Sequence, residues 1–147
     1  MSGPAGASLD PQLKFSAILP DFQDCLARMR AASAAVPMRF RQVLYGHEPR
    51  QWIETCTGKG PGDTAVVFFH GGYWRALDAA SHRMVFPGLS AIGGTLANAE
   101  YRLMPSARMA DLVADAADGV RAVLEHSGAT RVILAGHSAG AHLALSA

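Results

Sequence analysis

The chain has little of what marks the specialised classes of protein. No apolar run in its 147 residues approaches the ~20 that a membrane-spanning helix needs. The first ten residues, MSGPAGASLD, have neither the basic start nor the apolar stretch of a secretory signal. Neither sign of charge is in excess: 13 Lys and Arg against 12 Asp and Glu leave a formal net charge of +1. That removes the electrostatic case for nucleic acid or an anionic membrane as a partner. The basic residues are scattered, apart from a loose group at Arg28, Arg30, Arg39 and Arg41. We read that group as a solvated helix face and a strand edge. Only two cysteines occur, Cys25 and Cys56, without metal or redox spacing. A disulfide between them stays open, but reduced thiols in a cytosolic protein are the plainer reading. These absences lead us to expect a soluble, cytoplasmic protein, with its oligomeric state undetermined.

What is present points to a globular domain. Half the residues are hydrophobic and 17% are charged, a balance that buries a core rather than staying disordered. Residues 1–10 read as a flexible tail and 11–147 as one domain. Residues 21–36 predict a helix with Asp21 at its N-cap, Pro37 beyond its end, and an apolar stripe of Phe22, Leu26 and Met29. Residues 40–55 predict two short strands around a turn at 46–49, and GKGPGD at 58–63 predicts a loop. The run TAVVFF at 64–69 is continuously apolar, the mark of a strand buried on both faces. A helix is expected over 78–89, broken at Pro87, and a strand over 95–101.

Residues 109–125 predict an amphipathic helix. Met109, Leu112, Val113, Ala116, Val120, Val123 and Leu124 share one face, and Gly128 follows the last turn. Residues 131–135 predict another buried strand, near the middle of the sheet, and 140–147 a last helix. Strands alternating with helices indicate an α/β fold with a mainly parallel sheet.

Two motifs carry chemistry. Gly136-His137-Ser138-Ala139-Gly140 stands between the strand-like VILA and the helix-like AHLALSA. In such a G-x-S-x-G turn the serine passes sharply from strand to helix, which lifts its hydroxyl above the sheet, and the flanking glycines avoid collisions. Upstream, His70-Gly71-Gly72-Tyr73-Trp74 directly follows TAVVFF. Glycines after a strand end bring backbone N–H groups close to a reacting carbonyl, where they stabilise an oxyanion. The candidate nucleophile is therefore Ser138, and the candidate oxyanion donors are the amides of Gly71, Gly72 and Ala139. Tyr73 and Trp74 either wall a substrate pocket or pack beneath the loop.

The six histidines offer no obvious base. His70 heads the glycine loop and is expected to order it by hydrogen bonding. His137 projects away from its neighbour in the turn, and His142 either packs or faces solvent. His47, His82 and His126 show no partner spacing. No histidine pair has ligand spacing with a carboxylate, so neither a metal nor another cofactor is expected.

HGGYW, AEYRLMP, AGHSAGAHLA and the upstream LYGHEPRQ together resemble the α/β-hydrolase fold over roughly residues 40–147. Within it they resemble most the kynurenine formamidases (arylformamidases) and the neighbouring hormone-sensitive-lipase-like esterases. The resemblance implies that Ser138 is the nucleophile of an acyl-enzyme mechanism and that Gly71 and Gly72 form the oxyanion loop. It implies a small-molecule substrate: an N-formyl amide of the N-formylkynurenine type, as in tryptophan degradation, or a short acyl ester. It gives Glu100-Tyr101-Arg102 a bracing role beneath the loop rather than a catalytic one. The family order is Ser, acid, His, which places both partners beyond Ala147. Asp111, Asp115 and Asp118 precede the serine, on a helix expected to flank the sheet. The chain therefore reads as the N-terminal part of an α/β-hydrolase with later strands missing. On that reading the 147 residues alone are inactive and prone to aggregate, and a truncated non-catalytic product is the rival to the enzyme.

Overall fold

The structure is a computed structural model that describes residues 20–147. The tail read at 1–10 lies outside the described residues. The elements are α1 (Phe22–Ala34), β1 (Arg41–Leu44), β2 (Trp52–Thr57), β3 (Thr64–Phe69), a 3₁₀ helix (Ala80–Val85), α2 (Phe86–Leu89), β4 (Thr95–Ala99), α3 (Met109–Ser127), β5 (Arg131–Gly136) and α4 (Ala139–Ser146). The five strands form one sheet in the order β1-β2-β4-β3-β5.

The parallel order expected from the sequence holds for β4, β3 and β5. The β1–β2 hairpin adds two antiparallel pairings, one within itself and one to β4, so the sheet is mixed. All six residues of β3 are buried, because β3 is paired on both edges and covered on both faces. Its alternate side chains divide the core. Ala65, Val67 and Phe69 join Ile53, Ala97, Ala99, Leu112, Ala116, Val123 and Leu143 on the face covered by α3 and α4. Val66 and Phe68 join Cys56, Leu96 and Phe86 on the other face. At roughly 1.5–3 kcal/mol for each large apolar side chain buried, these two clusters hold the layers together.

Local signals decide the element ends. α3 stops at Gly128, which takes the left-handed conformation (φ 68°) that glycine adopts without strain. Its start is held by Asp111, whose carboxylate accepts the Arg108 backbone N–H at 2.7 Å. Asp21 occupies the N-cap of α1 but makes no side-chain capping bond. The helix expected over 78–89 is a 3₁₀ segment followed by one turn of α-helix. The break falls before Pro87, which sits in the first turn of α2, where its missing N–H costs nothing.

The strand expected at 131–135 forms as β5, but in the described sheet it is not buried. β5 is the outer strand of the described sheet, with Arg131, Val132 and Ile133 exposed and the rest half-buried. Only β3 pairs with it among the described residues. Cys25 is exposed on α1, Cys56 is buried, and both are free thiols. No described helix is long and apolar enough to cross a membrane.

Candidate active site

β3 and β5 run parallel and in register, so their C-terminal ends, Phe69 and Gly136, lie side by side. The two sequence motifs therefore start from adjacent points on one edge of the sheet. Ser138 stands between β5 and α4 with φ 53° and ψ −118°. A non-glycine residue held there is strained by about 1–3 kcal/mol and persists only where its surroundings enforce it. The enforcement is visible. A Cβ on Gly136 would run into the backbone of Gly140 and Ala141, and one on Gly140 into the carbonyls of Phe69 and His70. The His137 backbone N–H donates to Phe69 O at 3.1 Å, and those of Gly140 and Ala141 turn the chain into α4 by bonding His137 O and Ser138 O, each at 2.9 Å.

The glycine loop closes against this elbow. Gly71 faces His137 so closely that a Cβ on it would stand 2.7 Å from the ring Nδ1 and 2.9 Å from the backbone oxygen. Gly72 (φ 121°), Tyr73 (φ 58°) and Trp74 (φ 59°) form a left-handed run, with Leu77 (φ 69°) just beyond. Among the described residues no hydrogen bond occupies the amides of Gly71, Gly72 or Ala139. The structure thus brings the glycine loop, through Gly71, against the elbow that carries Ser138 and Ala139.

The peptide planes that carry two of these donors are fixed from behind. The Tyr101 hydroxyl donates to His70 O at 2.7 Å, which orients the planar His70–Gly71 unit and its Gly71 N–H. Burial pushes the Tyr101 phenol up, with Glu100 adding to the shift, so it remains a donor. His70 Nδ1 lies 2.7 Å from Gly71 O, a pure acceptor, so Nδ1 is the donor in that contact and the Gly71–Gly72 unit is held likewise. The His70 ring is fully buried, stacks on Tyr101 at 4.2 Å between centroids, and meets Glu100 Oε1 through Nε2 at 3.3 Å. His70 and the Glu100-Tyr101 pair thus occupy the bracing positions expected of them. Arg102 braces elsewhere, on Asp115.

The remaining predicted residues separate. Trp74 is half-buried and packs against the core and, edge to face, on His142 at 5.5 Å. Tyr73 is 41% exposed at the loop surface. Trp74 thus packs beneath the loop, and Tyr73 meets it edge to face at 5.6 Å between centroids. Asp115 is buried and bound by Arg102 at 2.7 Å and by Gln51 at 2.8 Å, which commits it to the scaffold. All six histidines lie in the described part, and none hydrogen-bonds the Ser138 hydroxyl.

Spacing missed a row of three histidine rings. His82, from the 3₁₀ helix, stands 5.7 Å from His70 and 5.9 Å from His137 between centroids. Its Nδ1 bonds Asp78 O at 3.0 Å, while its buried Nε2 has no partner among the described residues. Burial lowers its pKa, and His70 and His137 lower it further against the opposing pull of Asp78. Sequence separation concealed the row, because each ring comes from a different element. A groove of about 570 Å³ lined by Tyr45, His47, Arg121 and Glu125 includes no residue of the elbow or glycine loop.

The chain is similar to known proteins. A sequence model of the alpha/beta hydrolase fold matches residues 66–147. A kynurenine formamidase of Danio rerio is 32% identical over 113 residues, 75% of this chain and 39% of that protein. A candidate isoprenylcysteine alpha-carbonyl methylesterase of Oryza sativa subsp. japonica is 33% identical over 114 residues, 73% of this chain and 28% of that protein. Among solved structures, a candidate thioesterase of Silicibacter sp. superposes with a TM-score of 0.80 at 27% identity, covering 96% of this chain and 55% of that one. The chain thus spans well under half the length of these two curated relatives.

Proposed function

The chain belongs to the alpha/beta hydrolase fold family, and from that premise we propose that it carries the nucleophile and oxyanion half of a serine hydrolase acting on an N-formyl amide. One observation carries the reading: Ser138 is held at φ 53° in an elbow against which Gly71 of the glycine loop packs, and among the described residues the amides of Gly71, Gly72 and Ala139 have no hydrogen-bond partner. The Ser138 hydroxyl attacks the formyl carbon and gives its proton to a base. The carbonyl oxygen becomes an oxyanion and takes hydrogen bonds from the three amides. Collapse breaks the C–N bond and releases the protonated amine. Water then hydrolyses the formyl-enzyme to formate and frees the serine.

A neutral serine hydroxyl is a weak nucleophile without a base. No histidine of these 147 residues bonds Ser138, and in the family order the acid and the base follow the serine. The chain alone is expected to show only residual turnover. The formamide substrate rests on HGGYW and YGHEPRQ together with the Danio rerio relative. A second reading, hydrolysis of a carboxylic ester, is favoured by the Oryza sativa relative.

A fluorophosphonate probe on the complete gene product tests the core of the proposal. Labelling of Ser138 that disappears in Ser138→Ala supports it, and a folded protein left unlabelled rejects it. Turnover of N-formylkynurenine against p-nitrophenyl butyrate then separates amide from ester.

A further inference from the structure

Arg50 lies in the turn between β1 and β2, outside the region that the family model matches. Its guanidinium nevertheless reaches three separate points around the glycine loop. Nε donates to Tyr101 O at 3.1 Å, and one terminal nitrogen donates both to Leu77 O at 2.8 Å and to the carboxylate of Glu100. Glu100 is 2% exposed, and its other oxygen accepts the Ala79 backbone N–H at 2.9 Å.

Two of these contacts lead to an oxyanion donor. Glu100 Oε1 also meets His70 Nε2, and His70 Nδ1 holds the peptide plane that aims the Gly72 N–H. Tyr101, gripped through its carbonyl, holds the plane that aims the Gly71 N–H. Leu77 is the strained residue (φ 69°) at which the loop leaves the site. The planar guanidinium presents its donors to these acceptors in a fixed fork, which the three rotatable donors of an ammonium do not reproduce.

We propose that Arg50 is a positioning residue for the oxyanion loop, setting the aim of the Gly71 and Gly72 amides through Tyr101 and through Glu100 and His70. The assignment rests on the hydrolase reading above. Arg50 touches no reacting atom, so its loss weakens stabilisation of the transition state more than binding of the ground state.

The test uses the complete gene product with p-nitrophenyl butyrate. Loss of a whole oxyanion donor costs roughly 100- to 1,000-fold in kcat, so misaiming through Arg50→Lys or Arg50→Ala should cost about 10- to 100-fold, with KM within about twofold. Arg50 is 35% exposed at its side chain, so added guanidinium should restore part of the lost kcat in Arg50→Ala. The same concentration of sodium chloride should not. Should Arg50→Ala fail to fold, Arg50→Lys decides alone. A kcat in Arg50→Lys within about twofold of the parent overturns the assignment. So does a rise in KM at constant kcat. Ser138→Ala separates the two levels: turnover surviving in it rejects the hydrolase reading, whereas an inactive Ser138→Ala beside fully active Arg50 variants rejects only the role of Arg50.

Discussion

Gly140, in the first turn of α4, lies so close to Phe69 at the end of β3 that a Cβ on it would overlap the Phe69 carbonyl. The strained serine and the strand that leads into the glycine loop are therefore one packed unit. Any side chain at 140 must push α4 away from β3 or change the turn.

The first prediction follows from that contact. Gly140→Ala should destabilise the fold by about 1–3 kcal/mol through overpacking, despite the better helix propensity of alanine. It should also lower labelling of Ser138 by a fluorophosphonate. Urea unfolding and probe kinetics measure the two effects. An unchanged midpoint would mean that α4 can slide off β3 freely, against the tight packing described here.

Asp115 supplies the second. Its carboxylate takes hydrogen bonds from the Arg102 side chain and backbone N–H and from Gln51, and it is 1% exposed. Asp115→Ala leaves Arg102 unpaired and should cost about 3 kcal/mol, the low end for a broken buried pair because Arg102 keeps some contact with water. The activity of the folded fraction should hold, since Asp115 is committed to Arg102. Loss of kcat at unchanged stability would instead make Asp115 part of the reaction.

Asp115 also marks the limit of what the sequence discloses. The elbow, the glycine loop and β3 are legible because each is a local pattern: small residues at a sharp turn, glycines after a strand, six apolar residues in a row. The long amphipathic helix is legible for the same reason, yet its buried face includes Asp115 and Gly119, which sit at the right spacing but whose residue types give no apolar signal. Asp115 is buried because Arg102 and Gln51 come from distant parts of the chain. Gly119 is buried because Ile53 of β2 leaves little room there, 3.0 Å from where a Cβ would be. The grip of Arg50 on Glu100 and the row of His70, His82 and His137 depend likewise on residues far apart in sequence. Such pairings arise from the fold, and no window of a single sequence contains them.

His82 gives a pH prediction. Burial holds its pKa below the ordinary 6.5 in the folded protein. As pH falls, the unfolded chain therefore takes up this proton first. The contribution of His82 to stability is complete above about pH 6.5 and declines as pH falls from there toward the lowered folded value. His70 and His137 strengthen the effect and Asp78 opposes it. The urea midpoint should fall between about pH 7 and pH 5, and His82→Gln, which carries no titrating ring, should lose less over the same range. Parallel pH profiles for the two proteins would show that His82 does not titrate differently on folding.

The outer strand carries the last prediction. Val132 and Ile133 are consecutive in β5, so their side chains point to opposite faces of the sheet. Both are nonetheless more than a third exposed, at 36% and 38%. Both faces of β5 are thus open to water, and among the described residues its outer edge has no partner strand. An apolar, unpaired edge is a template for pairing with another chain. The 147-residue chain should therefore self-associate as its concentration rises, read by size exclusion with light scattering. Val132→Lys and Ile133→Lys should each reduce that association, because a charge on a strand edge opposes pairing. Leu145 on α4, 91% exposed, is the competing adhesive surface, so Leu145→Glu is the necessary comparison. If Leu145→Glu alone disperses the protein, the contact runs through α4. If all three variants and the parent are monomers that melt cooperatively at every concentration, the open edge of β5 is not a liability, and the sheet is stable as it stands.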